Sequence, residues 1–240
     1  MIDLYFWPTP NGWKIAIMLE ECGLPYNVVK TDIGRGDQFK PEFIEICPNH
    51  KIPAIVDHDG PDGPISIFES GAILLYLAEK TGRFMPAEMN ARYDVIQWVF
   101  WQMANLGPMA GQFGYFRNYS KEKIEHAIQR YANEYDRLLG VMDRQLADRE
   151  HLAGEYSIAD IASLPWARAY DRLGLSIDKF PNLARWLDAV VERPAVTKAY
   201  EIGLDWFRNA GKPDEESRKN LFDQTADSVA ESIKKAADDA

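Results

Sequence analysis

Cysteine is scarce in this chain of 240 residues, and the scarcity narrows the chemistry it can perform. The only two, Cys22 and Cys47, stand 25 positions apart, so the chain has no disulfide framework and no Cys-X-X-Cys redox motif. A reducing, cytoplasmic compartment is therefore the expected location. The amino terminus agrees, because the segment MIDLYF has an acidic third residue and lacks the basic stretch of a secretory signal.

Long apolar runs and excess positive charge are also missing. No apolar run approaches the roughly 20 residues that a helix needs to cross a bilayer, so we expect no membrane partner. The chain has 27 Lys and Arg against 37 Asp and Glu, a formal net charge of −10. Proteins that bind nucleic acid neutralise its phosphates with Lys and Arg, so this balance argues against a nucleic-acid partner. A small anionic ligand is still compatible if local groups override the global charge.

Motifs for metal and nucleotide binding are absent from the sequence. It contains no HExxH pair, no phosphate-binding GxxxxGK[ST] loop and no GxSxG nucleophile turn. The four histidines are too scattered to suggest a shared metal ion, and we expect none. They are His50, His58, His126 and His151.

The first part of the chain alternates short runs of β-forming residues with helical periodicity. Breaker clusters separate them, as in the turn from Pro8 to Gly12. The order β-α-β-α-β-β-α predicts a small α/β unit. The expected strands cover 2–7, 26–31, 54–57 and 65–68, and the expected helices cover 13–21, 40–46 and 70–82.

Beyond about residue 90 the pattern is helical throughout. Gly107-Pro108 interrupts the first of these helices and should kink it. Ser157 and Asp160 have the spacing of a capping box, in which the serine caps a helix and the acid reaches back to it. The expected helices cover 91–116, 121–146, 158–173, 181–192 and 195–207.

The end of the chain is polar and leaves two interpretations open. Residues 209–216 are rich in helix breakers, which is typical of a linker. A helix should follow, with one apolar stripe formed by Phe222, Ala226, Val229 and Ile233. This helix could dock loosely on its own chain, or it could cover part of a partner subunit.

Several motifs together carry a resemblance to a known family. NHKIPAIV at 49–56, FESGAILLYL at 68–77 and SIAD at 157–160 make the chain similar to cytosolic-type glutathione transferases. FWPTPNG at 6–12 and GRGDQF at 34–39 resemble the bacterial nu class more closely. Members of that class reduce disulfide bonds with glutathione, and the fungal nitrogen regulator that keeps a transferase fold belongs to the same branch.

The resemblance implies a fold of class α/β plus all-α. A thioredoxin-like, glutathione-binding domain would cover 1–82, and an all-helical domain would cover 90–208. The motifs W-X-F-W-Q and L-G-P-M extend the likeness into the second domain, whereas the tail at 209–240 lies outside it. The family also implies a homodimer, with which the aromatic-rich stretch at 95–101 is compatible.

Glu69 and Ser70 are expected to bind one end of glutathione. They stand where the fourth strand hands over to the third helix, and a helix start attracts anions through its free amides and partial positive charge. The Ser70 hydroxyl could add a contact to a carboxylate, while Glu69 could meet an ammonium group. An α-amino acid head carries both groups, as the γ-glutamyl end of glutathione does. A plain helix cap at Ser70 is the structural alternative.

Four further residues are carried over from the family to the rest of the tripeptide. A cis peptide bond before Pro53 would expose the backbone of Ile52, which could pair with the cysteinyl backbone of glutathione like an added strand. Lys51 would meet the glycyl carboxylate, and Gln38 would add a polar contact. The alternatives are a structural turn proline, a surface lysine and a solvated loop glutamine.

The turn from Pro8 to Gly12 is where the family places its contact to the glutathione sulfur. Asn11 and Thr9 are the candidate catalytic residues, since an amide or hydroxyl donor beside a helix start would stabilise the thiolate. Only the thiolate is strongly nucleophilic, and a free thiol with pKa near 8.5 is mostly protonated at neutral pH. Asparagine before a helix is also a common cap, which is the alternative for Asn11.

The family pattern further implies two glutathiones, or oxidised glutathione, in each site. One thiolate would attack a disulfide and a second glutathione would resolve the mixed disulfide, so no protein thiol is needed. Arg130 matches a family arginine that reaches this pocket, with an exposed helix arginine as its alternative. Cys47 departs from the pattern and is expected to be a buried small hydrophobe, with a redox-sensitive thiol as the second possibility.

The sequence therefore predicts a glutathione-dependent disulfide-bond reductase that works as a homodimer on small thiols and disulfides. Two other functions stay open. One is a transferase that joins glutathione to electrophiles or reduces peroxides. The other is a regulatory module that binds glutathione without useful turnover.

Overall fold

The computed structural model of the protein describes residues 1–206, 211 and 213–238. Two compact units are present, one formed by Met1–Ile73 with Lys198–Ala240 and one formed by Leu74–Thr197. The segment after Lys198 thus belongs with the sheet, whereas the sequence suggested that the helical domain runs to 208.

A four-stranded mixed sheet is the centre of the first unit. Its strand order is β2-β1-β3-β4, with β1 parallel to β2 and antiparallel to β3, and with β3 antiparallel to β4. Alternate residues of β1 are buried, as expected for a strand with one face on the core. The strands are β1 (Ile2–Phe6), β2 (Tyr26–Lys30), β3 (Ala54–Asp57) and β4 (Ile65–Phe68).

Three helices and one 3-10 turn complete the thioredoxin-like part and confirm the predicted β-α-β-α-β-β-α order. Helix α1 begins earlier than predicted, because Thr9 caps it and Pro10, which needs no hydrogen-bond acceptor, takes its first position. It ends at Gly23, whose φ of 66° is a left-handed conformation that glycine adopts without strain. The helices are α1 (Pro10–Cys22), α2 (Pro41–Ile46) and α3 (Ser70–Thr81), and the 3-10 turn is Asp37–Phe39.

The second unit is all-helical, as predicted. A capping box starts α7: the Ser157 amide donates to the Asp160 carboxylate at 3.1 Å, and the Ala159 amide donates to the Ser157 hydroxyl at 3.3 Å. The helices here are α4 (Met89–Trp101), α5 (Gly107–Gly114), α6 (Glu125–Gln145), α7 (Ile158–Ala167) and α8 (Pro181–Val191), and α9 (Pro194–Glu201) follows them.

The predicted helix over 91–116 is interrupted by a π-helical turn at Gln102–Leu106. Pro108 has no N–H, so it cannot donate to the carbonyl of Ala104 as the fourth residue along would. Ala104 lies inside the π-helical turn, where carbonyls pair with amides five residues along instead of four. This wider spacing accommodates the donor that Pro108 lacks.

The tail forms two helices instead of the single helix predicted. Helix α10 (Glu215–Phe222) starts inside the predicted linker, because the Asp214 carboxylate accepts the Ser217 amide at 2.8 Å and caps it. Helix α11 (Ala226–Asp238) starts anew, because Thr225 and Ser228 exchange amide-to-hydroxyl bonds of 2.8 and 3.2 Å. Residues 209, 210 and 212 of that linker, and 207 at the end of the preceding predicted helix, lie outside the described residues.

Helix α11 lies on its own chain, where it contacts the 3-10 turn and α2. Three members of the predicted apolar stripe, Phe222, Val229 and Ile233, are half-buried, and Ala226 is exposed. Of the two interpretations of the tail, docking on its own chain is therefore the one that the structure shows. In the part of the chain that the structure covers, every helix is too short or too polar to cross a membrane.

Candidate functional site

A cleft of about 190 Å³ opens in the first unit, where the loop before β3 and the end of β4 meet the start of α1 and of α3. Six of the nine predicted site residues line it, and Asn49 and Phe68 were not predicted. The lining residues are Asn11, Asn49, Lys51, Ile52, Pro53, Phe68, Glu69 and Ser70.

Glu69 and Ser70 form one end of the cleft. The Ile73 amide donates to the Glu69 carbonyl at 2.9 Å, which is the first bond of α3, so Glu69 takes the cap position and Ser70 is the first helical residue. Glu69 has φ of 68°, a left-handed conformation that costs a residue with a side chain about 1 kcal/mol or more. This backbone turns sharply from strand to helix and puts an exposed carboxylate beside the buried Ser70 hydroxyl.

Lys14 lies beneath this end of the cleft and was missed at the sequence level. Its ammonium donates to the Ser70 hydroxyl at 3.3 Å, and only 1% of the residue is exposed. Burial lowers the pKa of Lys14 to about 7, and the Glu69 carboxylate opposes that shift. A signal was available, because Lys14 opens the otherwise apolar run KIAIML on the buried face of α1.

The middle of the cleft is formed by the peptide bond between Ile52 and Pro53, which is cis as the resemblance implied. Pro53 is buried directly before β3, and Ile52 is half-buried. Asn11 faces the same space from the first turn of α1. A peptide backbone could therefore extend along Ile52 with its side chain towards Asn11.

Lys51 forms the other end of the cleft, and it is exposed. Its ammonium donates to the side-chain oxygen of Gln224 at 3.0 Å. The two ends thus each carry one lysine, and both differ from the acidic balance of the chain as a whole. Lys51 at one end and the start of α3 at the other suit a ligand with a carboxylate at each end, while the Glu69 carboxylate suits an ammonium group.

Asn11 and Thr9 have different roles at the start of α1. The cap is Thr9, whose hydroxyl accepts the Gly12 amide at 3.3 Å, so the cap interpretation applies to Thr9 and not to Asn11. Asn11 is the second helical residue, and its side chain lines the cleft, whereas Thr9 is not among the lining residues. Gly12 permits this close turn, since a Cβ there would lie 2.5 Å from the Trp7 carbonyl oxygen.

The structure does not bring Gln38 and Arg130 to the lining of this cleft. Gln38 is buried, and its amide donates to the carbonyls of Ile33 at 3.1 Å and of Asn220 at 3.3 Å. Arg130 belongs to α6 in the second unit, with its guanidinium 3.6 Å from the Glu134 carboxylate and its side chain exposed.

Neither Cys22 nor Cys47 is among the lining residues of the cleft. Cys47 is buried among apolar residues such as Phe43 and Ala54, as predicted, and its thiol donates to the Lys51 carbonyl at 3.3 Å. Cys22 is half-buried at the end of α1. No group of three or more His, Cys, Asp or Glu side chains gathers within the described residues in a way that could hold a metal ion.

Comparisons with known proteins agree with this geometry. The glutathione S-transferase N-terminal domain matches residues 1–79, and the glutathione S-transferase C-terminal domain matches residues 101–194. The disulfide-bond oxidoreductase YfcG of Escherichia coli is 50% identical over 202 residues, which cover 83% of this chain and 94% of that protein.

Solved structures give the same result. A glutathione transferase family member from Pseudomonas fluorescens, with two glutathione bound, has 47% identity and a TM-score of 0.79 over 83% of this chain and 92% of its own. A glutathione transferase from Pseudomonas putida, with one glutathione disulfide bound per subunit, has 46% identity and a TM-score of 0.80 over 84% and 91%. With both family domains present in order and a relative that is 50% identical over 202 residues, the chain belongs to the glutathione S-transferase family.

Proposed function

We propose that the protein is a glutathione-dependent disulfide-bond reductase. The observation that carries the proposal is the composition of the cleft: groups for both ends of glutathione flank the start of α1, and no cysteine is among the lining residues. The nucleophilic sulfur would then arrive with the ligand. The oxidoreductase name of the Escherichia coli relative supports the same reaction.

Glutathione is proposed to lie along the cleft with its γ-glutamyl head at Glu69 and Ser70. The head carboxylate would accept hydrogen bonds from the Ser70 hydroxyl and from the amides at the start of α3. The Glu69 carboxylate would form an ion pair with the ammonium. The backbone of Ile52 would pair with the cysteinyl residue as an added strand does. Lys51 would meet the glycyl carboxylate.

In this pose the cysteinyl sulfur lies near Asn11. The Asn11 amide and the partial positive charge of the α1 amino terminus would stabilise the thiolate and lower its pKa. Thr9 is proposed as an additional donor, because a hydroxyl that accepts the Gly12 amide still has its own hydrogen to donate.

The reaction balances with two glutathiones. The first thiolate attacks one sulfur of the substrate disulfide, forms a mixed disulfide and releases the other sulfur as a thiolate, which takes up a proton. The second glutathione thiolate attacks the glutathione sulfur of the mixed disulfide and releases the second substrate thiol. The products are oxidised glutathione and two thiols. The Pseudomonas structures with two glutathiones and with glutathione disulfide support such occupancy.

The remaining parts of the proposal rest mainly on the family. Arg130 would contact the second glutathione, and Gln38 would support the loop around the first. A homodimer is proposed, and α4 supports it by exposing Tyr93 and Phe100, each with 62% of its surface accessible. A cytoplasmic location would supply the reduced glutathione that the reaction consumes.

The test is Asn11→Ala, assayed with glutathione and a small model disulfide. We expect kcat to fall by about tenfold or more, while the Kd for glutathione changes by less than about twofold, because the lost donor acts on the thiolate. An ultraviolet titration of bound glutathione should show a raised thiol pKa. Asn49→Ala removes an amide from the same cleft and is the matched control. The control should keep the wild-type rate and thiol pKa. If Asn11→Ala keeps them as well, Asn11 has no catalytic role.

The same assay separates the other functions. Turnover of electrophiles or peroxides at a higher kcat/KM than disulfides would indicate a conjugating or peroxide-reducing transferase. Glutathione binding with negligible turnover of all three substrate classes would indicate a regulatory module.

A further inference from the structure

The carboxyl-terminal segment 213–238 packs against the loops that surround the cleft. The two family domains match residues 1–79 and 101–194, so neither includes this segment. Helices α10 and α11 nevertheless belong to the same compact unit as the sheet. The segment therefore adds to the site something that the matched domains do not contain.

Asn220 anchors the segment to the loop before α2. Its side-chain amide donates to the Gly34 carbonyl at 2.9 Å, and its own carbonyl accepts the Gln38 amide at 3.3 Å. Gln38 is buried at 2% exposure, so this second contact is shielded from water. Space is tight as well, since a Cβ at Gly34 would lie 3.3 Å from the Ser217 hydroxyl.

Gln224, in the turn between α10 and α11, connects the segment to the cleft. Its side-chain oxygen accepts the Lys51 ammonium at 3.0 Å, and its side-chain nitrogen donates to the Asn220 carbonyl. The Gln224 amide is thus held at both its oxygen and its nitrogen. A lysine that is otherwise exposed to solvent is held at one place on the cleft wall.

We propose that the turn between α10 and α11 is a functional part of the glutathione site, in which Gln224 is a positioning residue that holds the Lys51 ammonium ready for the glycyl carboxylate. The inference rests on the proposed function for the identity of the ligand. It adds a selection rule: the segment favours peptides that end in a carboxylate at this position over peptides that stop one residue earlier.

Gln224 would favour carboxylate binding because it orders the Lys51 side chain in advance. An ammonium has three donor hydrogens, so one can stay on Gln224 while the others receive the carboxylate. A free lysine side chain loses rotamer entropy when it is fixed, and Gln224 fixes it before the ligand arrives. A neutral amide also leaves the full charge of Lys51 available to the ligand.

The experiment measures, by calorimetry, the Kd values of glutathione and of γ-glutamylcysteine, which lacks the glycyl residue. For Gln224→Leu we expect glutathione to bind about fivefold more weakly, while γ-glutamylcysteine changes by less than about twofold. In a Lys51→Met background the Gln224→Leu change should have no further effect on glutathione, because the two residues act through one contact.

The matched control is Glu231→Leu, at an exposed position of α11, and it should bind both peptides as the wild type does. Equal losses for both peptides would overturn the inference, since the segment would then only stabilise the unit. Tighter glutathione binding in Gln224→Leu would also overturn it, since Gln224 would be a competitor of the carboxylate. If the wild type binds neither peptide, the proposed function fails and this inference fails with it, whereas a lack of disulfide turnover leaves the binding comparison intact.

Discussion

The two ends of the cleft are built in opposite ways. At the γ-glutamyl end, which we call the buried end, Lys14 donates to Ser70 from inside the core, where 1% and 5% of the two residues are exposed. At the glycyl end, which we call the exposed end, Lys51 donates to Gln224 at the surface. Each end uses one lysine and one neutral polar side chain, so the surroundings differ more than the chemistry does.

This difference indicates separate roles for the two ends, one in affinity for glutathione and the other in the choice among peptides. Charges and hydrogen bonds shielded from water are strong and costly to disturb, whereas exposed pairs contribute between about 0 and 1 kcal/mol and weaken with salt. We therefore expect the buried end to supply most of the affinity for glutathione. The exposed end should decide which peptides are accepted beyond the cysteinyl residue.

The largest expected effect is at the buried end, in Ser70→Ala. The change removes a hydroxyl that would donate to a carboxylate and that now accepts the Lys14 ammonium. Hydrogen bonds to charged groups contribute about 1.5–3 kcal/mol, so glutathione should bind about 10 to 100 times more weakly. Calorimetry with glutathione and γ-glutamylcysteine measures the loss, which should be equal for the two peptides because both carry the γ-glutamyl head.

Ser66→Ala is the control for this change, since Ser66 lies exposed on β4 and outside the cleft lining. A loss of less than about threefold in Ser70→Ala would break the comparison, because the two ends would then contribute alike.

The next effect concerns the charge of Lys14. In the folded protein its pKa is about 7, against an ordinary value of 10.5, so between these pH values the unfolded chain binds one more proton than the folded one. Stability therefore rises with pH through this window, and the contribution from Lys14 should grow by roughly 2.5 kcal/mol from pH 6 to pH 9. Lys14→Met lacks this contribution. Its free energy of unfolding, relative to that of the wild type, should therefore be highest at pH 6 and lowest at pH 9.

Urea unfolding of both proteins at the two pH values checks this, with Lys121→Met at an exposed loop position as the control. Free energies of unfolding that differ by the same amount at pH 6 and pH 9 would mean that Lys14 keeps its ordinary proton affinity. The buried end would then be no more desolvated than the exposed one.

A smaller effect is expected from salt at the exposed end. Raising NaCl from 0.05 to 0.5 M shortens the screening length to a few ångströms, so the contribution of Lys51 should fall. The ratio of the Kd of Lys51→Met to that of the wild type for glutathione should drop from about fivefold towards about twofold. The corresponding ratio for Ser70→Ala should stay within about 30% over the same range. Equal salt dependence at both ends would remove the distinction between them.

At each end of the cleft the sequence indicated the lining residues and missed the polar partner behind them, for physical reasons. Glu69 and Ser70 are adjacent, and a strand pattern followed by a helix pattern places them at a helix start whatever the rest of the chain does. Lys14 could have been found from its position in a buried apolar run, but its contact with Ser70 joins residues 56 positions apart. Lys51 and Gln224 are 173 positions apart, and neither periodicity nor capping patterns indicate which distant polar side chains will meet.

The fold shows the same limit at the tail. Each helix there begins at a cap that the sequence contains, Asp214 for α10 and Thr225 with Ser228 for α11. The apolar stripe alone favoured one continuous helix, because its spacing runs through the break at Asp223–Thr225. The place where the tail docks depends on Asn220 and Gln224, which are polar and carry no pattern.

The smallest effect is expected for the cysteines. Cys47 touches the exposed end, since its thiol donates to the Lys51 carbonyl, so a redox-active Cys47 would make this end a catalytic centre and not a selective one. We expect Cys22→Ser and Cys47→Ser to retain kcat for disulfide reduction within about twofold, since serine at position 47 can keep that hydrogen bond. In Cys47→Ser a hydroxyl is buried in place of a thiol, which should lower the free energy of unfolding by about 1 kcal/mol. The measurement is steady-state turnover beside a thermal melt, with unchanged turnover in the less stable variant as the expected pair. If Cys47→Ser abolishes turnover while it still melts cooperatively and binds glutathione, the nucleophile belongs to the protein, and the exposed end takes over the chemistry that we assign to Asn11 and the bound thiolate.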